Sequence, residues 1–158
     1  MSLTITGIHH IGIPVSNLQR SIAFYRDVLG GELVFVADAA GPEVATMMNV
    51  PEAEVRLAML RFGTTMIELL EYTHPRGTPY DRRNADVGAS HAAFAVSDIA
   101  VTMRELEQHG VRFNAAPISV QQGPMAGYAF VYFADPDGIP LELVSVPGAA
   151  QPEPRQAS

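Results

Sequence analysis

The chain has 158 residues, a net charge of −7, ten arginines, and neither lysine nor cysteine. The missing lysine excludes Schiff-base catalysis and a P-loop, and the missing cysteine excludes thiol nucleophiles, disulfides and cysteine-bound metals. The acidic balance disfavours nucleic acids and anionic membranes, and no apolar run reaches the roughly 18 residues that span a bilayer. We therefore expect a cytoplasmic protein whose partners are small molecules, with no nucleic-acid or membrane partner.

The first half of the chain predicts one strand, one helix and three further strands. Alternating residues predict a strand at 10–15, and Ser16 after it is the expected N-cap of a helix. The apolar stripe of that helix runs from Leu18 to Leu29, and Gly30 ends it. Together they make residues 1–73 a first βαβββ module, whose remaining strands are predicted at residues 32–37, 55–62 and 66–72.

The same pattern occurs a second time, in residues 89–146, where the segment that begins at His91 aligns with the one that begins at His10. Ser97 is the expected N-cap of the second helix, which Gly110 ends. The turn Asp135-Pro136-Asp137-Gly138 separates the last two strands. The repeat therefore predicts an α+β fold of two βαβββ modules, with the second module's strands at residues 91–96, 111–114, 128–134 and 141–146.

Two further segments are predicted to lie outside the modules. Residues 74–88 are rich in Pro, Gly, Asp and Arg and are predicted to form a linker. Residues 147–158 combine Pro with small and polar residues and are predicted to be a disordered tail.

The repeat places one histidine and one glutamate at matched positions in each module. His10 and His91 lie on the first strands, and Glu68 and Glu142 lie on the last strands. Two imidazoles and two carboxylates suit a divalent Zn, Ni, Co, Mn or Fe ion, and a six-coordinate ion would keep two positions for substrate oxygens.

An alternative interpretation exists for each of these residues alone. A histidine at the start of a strand is commonly an ordinary surface residue, and each glutamate could be the outward residue of a half-exposed strand. The alternative weakens because apolar residues flank both acids and because both acids fall at the same place in a duplicated unit. His9, the neighbour of His10, is expected to point to the opposite face of the sheet.

The motifs resemble the vicinal oxygen chelate superfamily, which includes glyoxalase I, methylmalonyl-CoA epimerase, extradiol dioxygenases and antibiotic resistance proteins. The resemblance covers about residues 6–146 and implies a half-open mixed β-barrel around one metal ion. It rests on Ile8-His9-His10-Ile11-Gly12-Ile13-Pro14-Val15, Phe24-Tyr25-Arg26-Asp27-Val28-Leu29-Gly30, Ile67-Glu68-Leu69-Leu70, Ser90-His91, and Phe133-Ala134-Asp135-Pro136-Asp137-Gly138 before Leu141-Glu142-Leu143.

The resemblance also implies residue roles. The metal ligands would be His10, Glu68, His91 and Glu142, and Glu142 and Glu68 would be the catalytic base and acid. Glu68 favours the four-ligand branch of isomerases and lyases, because the dioxygenases and fosfomycin resistance enzymes generally have no ligand there. The expected activity is a divalent-metal-dependent, glyoxalase-like proton transfer next to a carbonyl of a small oxygen-chelating substrate.

Details of the resemblance distinguish members of that branch. Pro14 and Tyr72 stand where bacterial glyoxalase I carries a glutathione-binding Arg and Asn, and Asp135-Pro136-Asp137 stands where the acyl-CoA epimerase has His-Pro-Lys. Two alternatives stay open, a small-molecule binding or antibiotic resistance module without catalysis, and an Fe(II) extradiol-type dioxygenase. The exposed sheet edges of such a barrel favour a homodimer.

Overall fold

A computed structural model of the chain describes residues 4–148. The chain divides into two compact units, one ending at Pro79 and the other beginning at Tyr80. Of the predicted tail, residues 149–158 lie outside the described part. Within residues 4–148, no helix is long and apolar enough to cross a membrane.

The first unit consists of one four-stranded sheet and two helical segments. Its first helix is α-helical over Leu18–Ala23 and continues as a π-helix over Phe24–Val28, where a regular α-helix to Leu29 was predicted. The predicted strands are confirmed, with the first ending one residue earlier and the other three extending by one to three residues. The elements are β1 (His10–Pro14), α1 (Leu18–Ala23), β2 (Glu32–Ala40), α2 (Pro42–Met48), β3 (Glu54–Phe62) and β4 (Thr65–His74).

The second unit repeats this plan, but its last three strands are shorter than their counterparts and its helix is longer than α1. The predicted strand at residues 111–114 is wrong, because only an isolated bridge from Phe113 to Phe133 forms there. The short strand of this unit lies a few residues later, after a bend at residues 114–116. The elements are β5 (Ala92–Val96), α3 (Ile99–Gln108), β6 (Ile118–Ser119), β7 (Ala129–Ala134) and β8 (Pro140–Ser145).

The two sheets have the same topology. Their strand orders are β1-β4-β3-β2 and β5-β8-β7-β6, with the first and last strands of each unit parallel and the other neighbours antiparallel. The last strand therefore lies inside each sheet, between the first strand and the preceding one. These mixed sheets confirm the α+β fold of two βαβββ modules.

Both helix starts lie one residue later than predicted. Asn17 and Asp98, not Ser16 and Ser97, are the N-caps, and their side chains accept hydrogen bonds from the amides of Arg20 and Val101 at 2.9 Å. Asn and Asp are strong N-caps because their side-chain oxygen reaches the amide three residues ahead. The hydroxyl of Ser16 instead accepts a hydrogen bond from the Arg20 guanidinium at 2.9 Å.

Helix α1 fixes which face of the first sheet is buried. Its apolar side packs on β3 and β4, and the opposite side chains on those strands remain outside this core. The buried residues are Leu18, Ile22 and Tyr25 from the helical segment and Ala58, Leu60, Ile67 and Leu69 from the strands. Because side chains alternate along a strand, Glu68 faces away from this core.

The helix α2 was not predicted from the sequence. Its seven residues are too few to display a helical period, but local signals define both ends. Pro42 occupies the first turn, Glu43 follows it, and Asn49 ends the helix in the left-handed conformation. Next to the helix, Ala53, Val55 and Leu70 form a buried cluster. Met48 of the helix and Tyr72 pack against this cluster.

We expect Gly31→Ala to destabilise the protein by about 1–3 kcal/mol, the usual cost of overpacking a filled site. A β-carbon at Gly31 would lie 2.6 Å from Phe62 Cζ and 2.9 Å from the Tyr25 carbonyl oxygen. Gly77→Ala is the matched control, because a β-carbon there meets nothing within 4 Å. Urea unfolding of both variants measures the difference, and equal midpoints would contradict the assigned packing.

Candidate functional site

The first unit brings His10 and Glu68 together. His10 begins β1, and Glu68 lies on β4 next to it, with Gly12 as its direct partner in the parallel register. The His10 Nε2 atom is 3.4 Å from Glu68 Oε2, and the two side chains are 38% and 19% exposed. We call these two residues the first pair.

The second unit brings His91 and Glu142 together in the same way. Glu142 lies on β8, and its partner on the parallel strand β5 is Ala93. His91, which was predicted to lie on this strand, directly precedes it, because β5 starts at Ala92. The His91 Nε2 atom is 3.1 Å from Glu142 Oε2, and the side chains are 40% and 11% exposed. We call these two residues the second pair.

The described residues therefore hold the four predicted ligands as two pairs. Within residues 4–148, no three His, Asp or Glu side chains share a point where they could hold a metal ion. Each pair nevertheless presents a ring nitrogen and a carboxylate oxygen side by side, on a partly exposed face.

The surroundings of the two glutamates differ. Met59 on β3 lies opposite Glu68, and Tyr132 on β7 lies opposite Glu142, so these two residues are equivalent in the repeat. Phe35 is the partner of Met59 on β2. The first pair therefore lies beside sulfur and hydrocarbon, whereas the second pair lies beside a hydroxyl.

Tyr132 is a residue of this site that sequence reasoning missed. Its hydroxyl is 3.1 Å from His91 Nε2, and the two rings meet edge to face at 5.0 Å. Burial raises the pKa of the Tyr132 hydroxyl above its ordinary value, and the charge of Glu142 raises it further. The hydroxyl therefore stays protonated at neutral pH and can donate a hydrogen bond.

His9 is a second missed residue. Its Nδ1 atom lies 2.9 Å from Nδ1 of His10, and the rings meet edge to face at 5.2 Å. The expectation that His9 points to the other face is wrong, because β1 starts only at His10 and strand alternation does not constrain the residue before it. The two adjacent histidines in the sequence were the signal that could have indicated this contact.

Other titratable residues lie away from the pairs. His74 pairs with Glu52 at 3.5 Å, and both side chains are more than half exposed. Glu71 supports the fold instead, because it accepts a hydrogen bond from the Leu18 amide at the start of α1 at 3.1 Å. Tyr72 donates a hydrogen bond to the Met48 sulfur at 3.7 Å and so belongs to the contacts of α2.

The family model of the Glyoxalase/Bleomycin resistance protein/Dioxygenase superfamily matches residues 7–143. The chain belongs to this superfamily. The resemblance seen in the sequence motifs is thereby confirmed, and the matched range contains both pairs.

Two curated relatives and one solved structure illustrate the relationship. A 2-epi-5-epi-valiolone epimerase from Actinomyces sp. is 38% identical over 148 residues, which cover 90% of this chain and 81% of the relative. A lactoylglutathione lyase from Salmonella typhimurium is 30% identical over 146 residues, covering 90% and 94%. A glyoxalase family protein from Bacillus cereus superposes with a TM-score of 0.73 at 25% identity, covering 90% of this chain and 95% of that one. Relatives in this superfamily thus include isomerases and lyases.

Proposed function

We propose that this protein is a divalent-metal-dependent epimerase that moves a proton at the carbon next to a ketone. The observation that carries the proposal is the repetition of a histidine–glutamate pair at matched register positions in both units. The name of the Actinomyces relative, which describes an epimerase and a ketone, favours an isomerase over a lyase.

The donor set of each pair fits a divalent transition-metal ion, namely Zn, Ni, Co, Mn or Fe. Two donors about 2.1 Å from one ion lie about 3.0 Å apart at a right angle and about 3.4 Å apart at the tetrahedral angle. The pair separations of 3.4 and 3.1 Å fall in this range. We propose His10, Glu68, His91 and Glu142 as the ligands. When bound, the ion would polarise two neighbouring oxygens of the substrate, one of them the ketone oxygen, and so acidify the C–H bond of the carbon next to the ketone.

Glu68 and Glu142 are proposed as the proton carriers. An epimerase removes a proton from one face of a carbon and returns one to the other, so it needs one carboxylate and one carboxylic acid. The repeat supplies one glutamate at the same position in each unit, and each turnover would exchange the protonation states of the two glutamates. The neighbours, Met59 beside one and Tyr132 beside the other, give the two carboxyl groups different surroundings.

The hydroxyl of Tyr132 is proposed to orient the substrate. It lies beside both residues of the second pair and remains a donor at neutral pH. Phe130 lies on the same face of β7, and its ring stacks at 5.8 Å on that of Tyr128, which directly precedes the strand. A ring-shaped ketone with an apolar face would find a flat wall there.

Metal content tests the ligand set. We expect about one equivalent of a transition metal in protein purified without a His-tag or added metal, and its loss in His91→Ala. His74→Ala is the matched control, because His74 also pairs with a glutamate but lies outside the site. Elemental analysis measures both. If reconstituted protein held no metal, a non-catalytic small-molecule binding module would be the better interpretation.

Solvent exchange tests the proton carriers. With 2-epi-5-epi-valiolone as the probe in D₂O, we expect deuterium to enter at the carbon next to the ketone. Glu68→Gln and Glu142→Gln should each slow this exchange about 100-fold or more, the usual contribution of a general acid or base.

Proton NMR of the substrate follows the reaction, and Glu105→Gln, an exposed acid on α3, is the control that should exchange at the parent rate. Full exchange in either site variant would remove that glutamate from the mechanism. Tolerance of Glu68→Gln together with oxygen uptake on catechols would instead indicate the dioxygenase.

Selectivity against glutathione substrates provides a further test. Pro14 lies on β1 and Tyr72 is held by Met48, at the two positions where the resemblance to glyoxalase I expects a glutathione-binding Arg and Asn. Each lost contact to a charged group is worth about 1.5–3 kcal/mol, or about 10-fold to 100-fold in rate. We expect little S-lactoylglutathione from methylglyoxal and glutathione, with the Salmonella relative as positive control. Turnover equal to that control would refute the selectivity.

A further inference from the structure

We infer that His9 is a positioning residue that holds the imidazole of His10 in the orientation a metal ligand needs. The inference rests on the proposed function, in which His10 is a metal ligand, and it concerns a residue outside the proposed ligand set. The contact that carries it is the 2.9 Å separation of the two Nδ1 atoms.

The contacts of His10 use both of its ring nitrogens. Nε2 faces Glu68 at 3.4 Å, and Nδ1 faces His9 at 2.9 Å. A ring whose two nitrogens both have partners cannot rotate freely about its Cβ–Cγ bond without losing both contacts. Because His10 is 38% exposed, packing alone does not fix the ring, and these polar contacts define its orientation.

The His9 contact is compatible with both tautomers of His10. A neutral imidazole has one N–H donor and one acceptor nitrogen, so one of the two facing Nδ1 atoms must carry the hydrogen. When the hydrogen of His10 lies on Nε2, the Nδ1–H of His9 donates to Nδ1 of His10. When the lone pair of His10 Nε2 is engaged by a cation, the Nδ1–H of His10 donates to His9. A hydrogen bond between His9 and His10 can therefore form both without a cation and with a cation bound to His10.

The second pair differs in this respect. Ser90 precedes His91 where His9 precedes His10. Within residues 4–148, the His91 ring contacts Glu142 and Tyr132, both of which lie closest to Nε2, at 3.1 Å. Residues that orient a metal-binding histidine through its other nitrogen commonly contribute 10-fold to 100-fold to metal affinity. Removing the side chain that precedes the histidine should therefore weaken metal binding in the first pair but not in the second.

The test is calorimetric titration of Zn²⁺ into the metal-free full chain and its variants in one buffer at one pH, because metal affinity depends on pH. His9→Phe keeps a ring beside His10 but removes the nitrogen, and we expect a Zn²⁺ affinity about 10-fold to 100-fold lower. His9→Asn places a carboxamide oxygen near the former Nδ1 position and should restore most of the loss. Ser90→Ala, the matched change before His91, should bind as the parent does.

A spectroscopic readout separates positioning from general damage. In the metal-free protein, the ¹⁵N resonance of His10 Nδ1 should shift in His9→Phe and stay in place in Ser90→Ala. Weaker binding without this shift, or unchanged Zn²⁺ affinity in His9→Phe, would overturn the role of His9 and leave the proposed function intact. A parent chain that binds no divalent cation would overturn both the proposed metal site and the inference.

Discussion

The parallel register between the first and last strands of each unit is the constraint on which the site depends. It places Gly12 opposite Glu68 and Ala93 opposite Glu142, and thereby brings the histidine at the start of the first strand within reach of the acid. Because side chains alternate, a slip of one residue would turn the acid toward the helix and a leucine toward the histidine. The buried contacts of Ile67 and Leu69 on α1 oppose such a slip in the first unit. The core of each unit thus determines the direction of its carboxylate.

The same constraint explains why the duplicated scaffold tolerates different surroundings at its two glutamates. The residue opposite each acid takes no part in the helix-side core, so Met59 in one unit and Tyr132 in the other change the chemistry without changing the register. The residue before each histidine, His9 or Ser90, lies outside the strands and is free to differ for the same reason. In the proposed epimerase reaction this difference would favour catalysis, because the two proposed proton carriers must occupy opposite protonation states at the start of each turnover.

The sequence was sufficient to predict the strands that pair in the same order in both units. Alternation identified β1, β3, β4 and their counterparts, and the turn at Asp135–Gly138 defined the hairpin of β7 and β8. Counting outward from this four-residue turn would pair Tyr132 with Leu141. The loop also includes Ile139, so Tyr132 pairs with Glu142 instead, and this contact was not predictable from the turn alone. The helix α2 was not predictable either, because seven residues show no period and its signals are caps. His9 was missed because the alternation rule was applied to a residue that precedes the strand.

The pairing of each glutamate with a histidine also lowers the free-energy cost of placing carboxylates among apolar neighbours. Glu142 is 11% exposed and Glu68 19%, so each has lost much of its hydration. A contact with a histidine at 3.1 or 3.4 Å offsets part of that loss in the protein without a cation. In the proposed metal site, the same contact would hold the two donor atoms at the separation that a divalent ion requires, so little rearrangement would be needed on binding. One interaction, made once in each unit, would then both stabilise the metal-free protein and preorganise the proposed ligands.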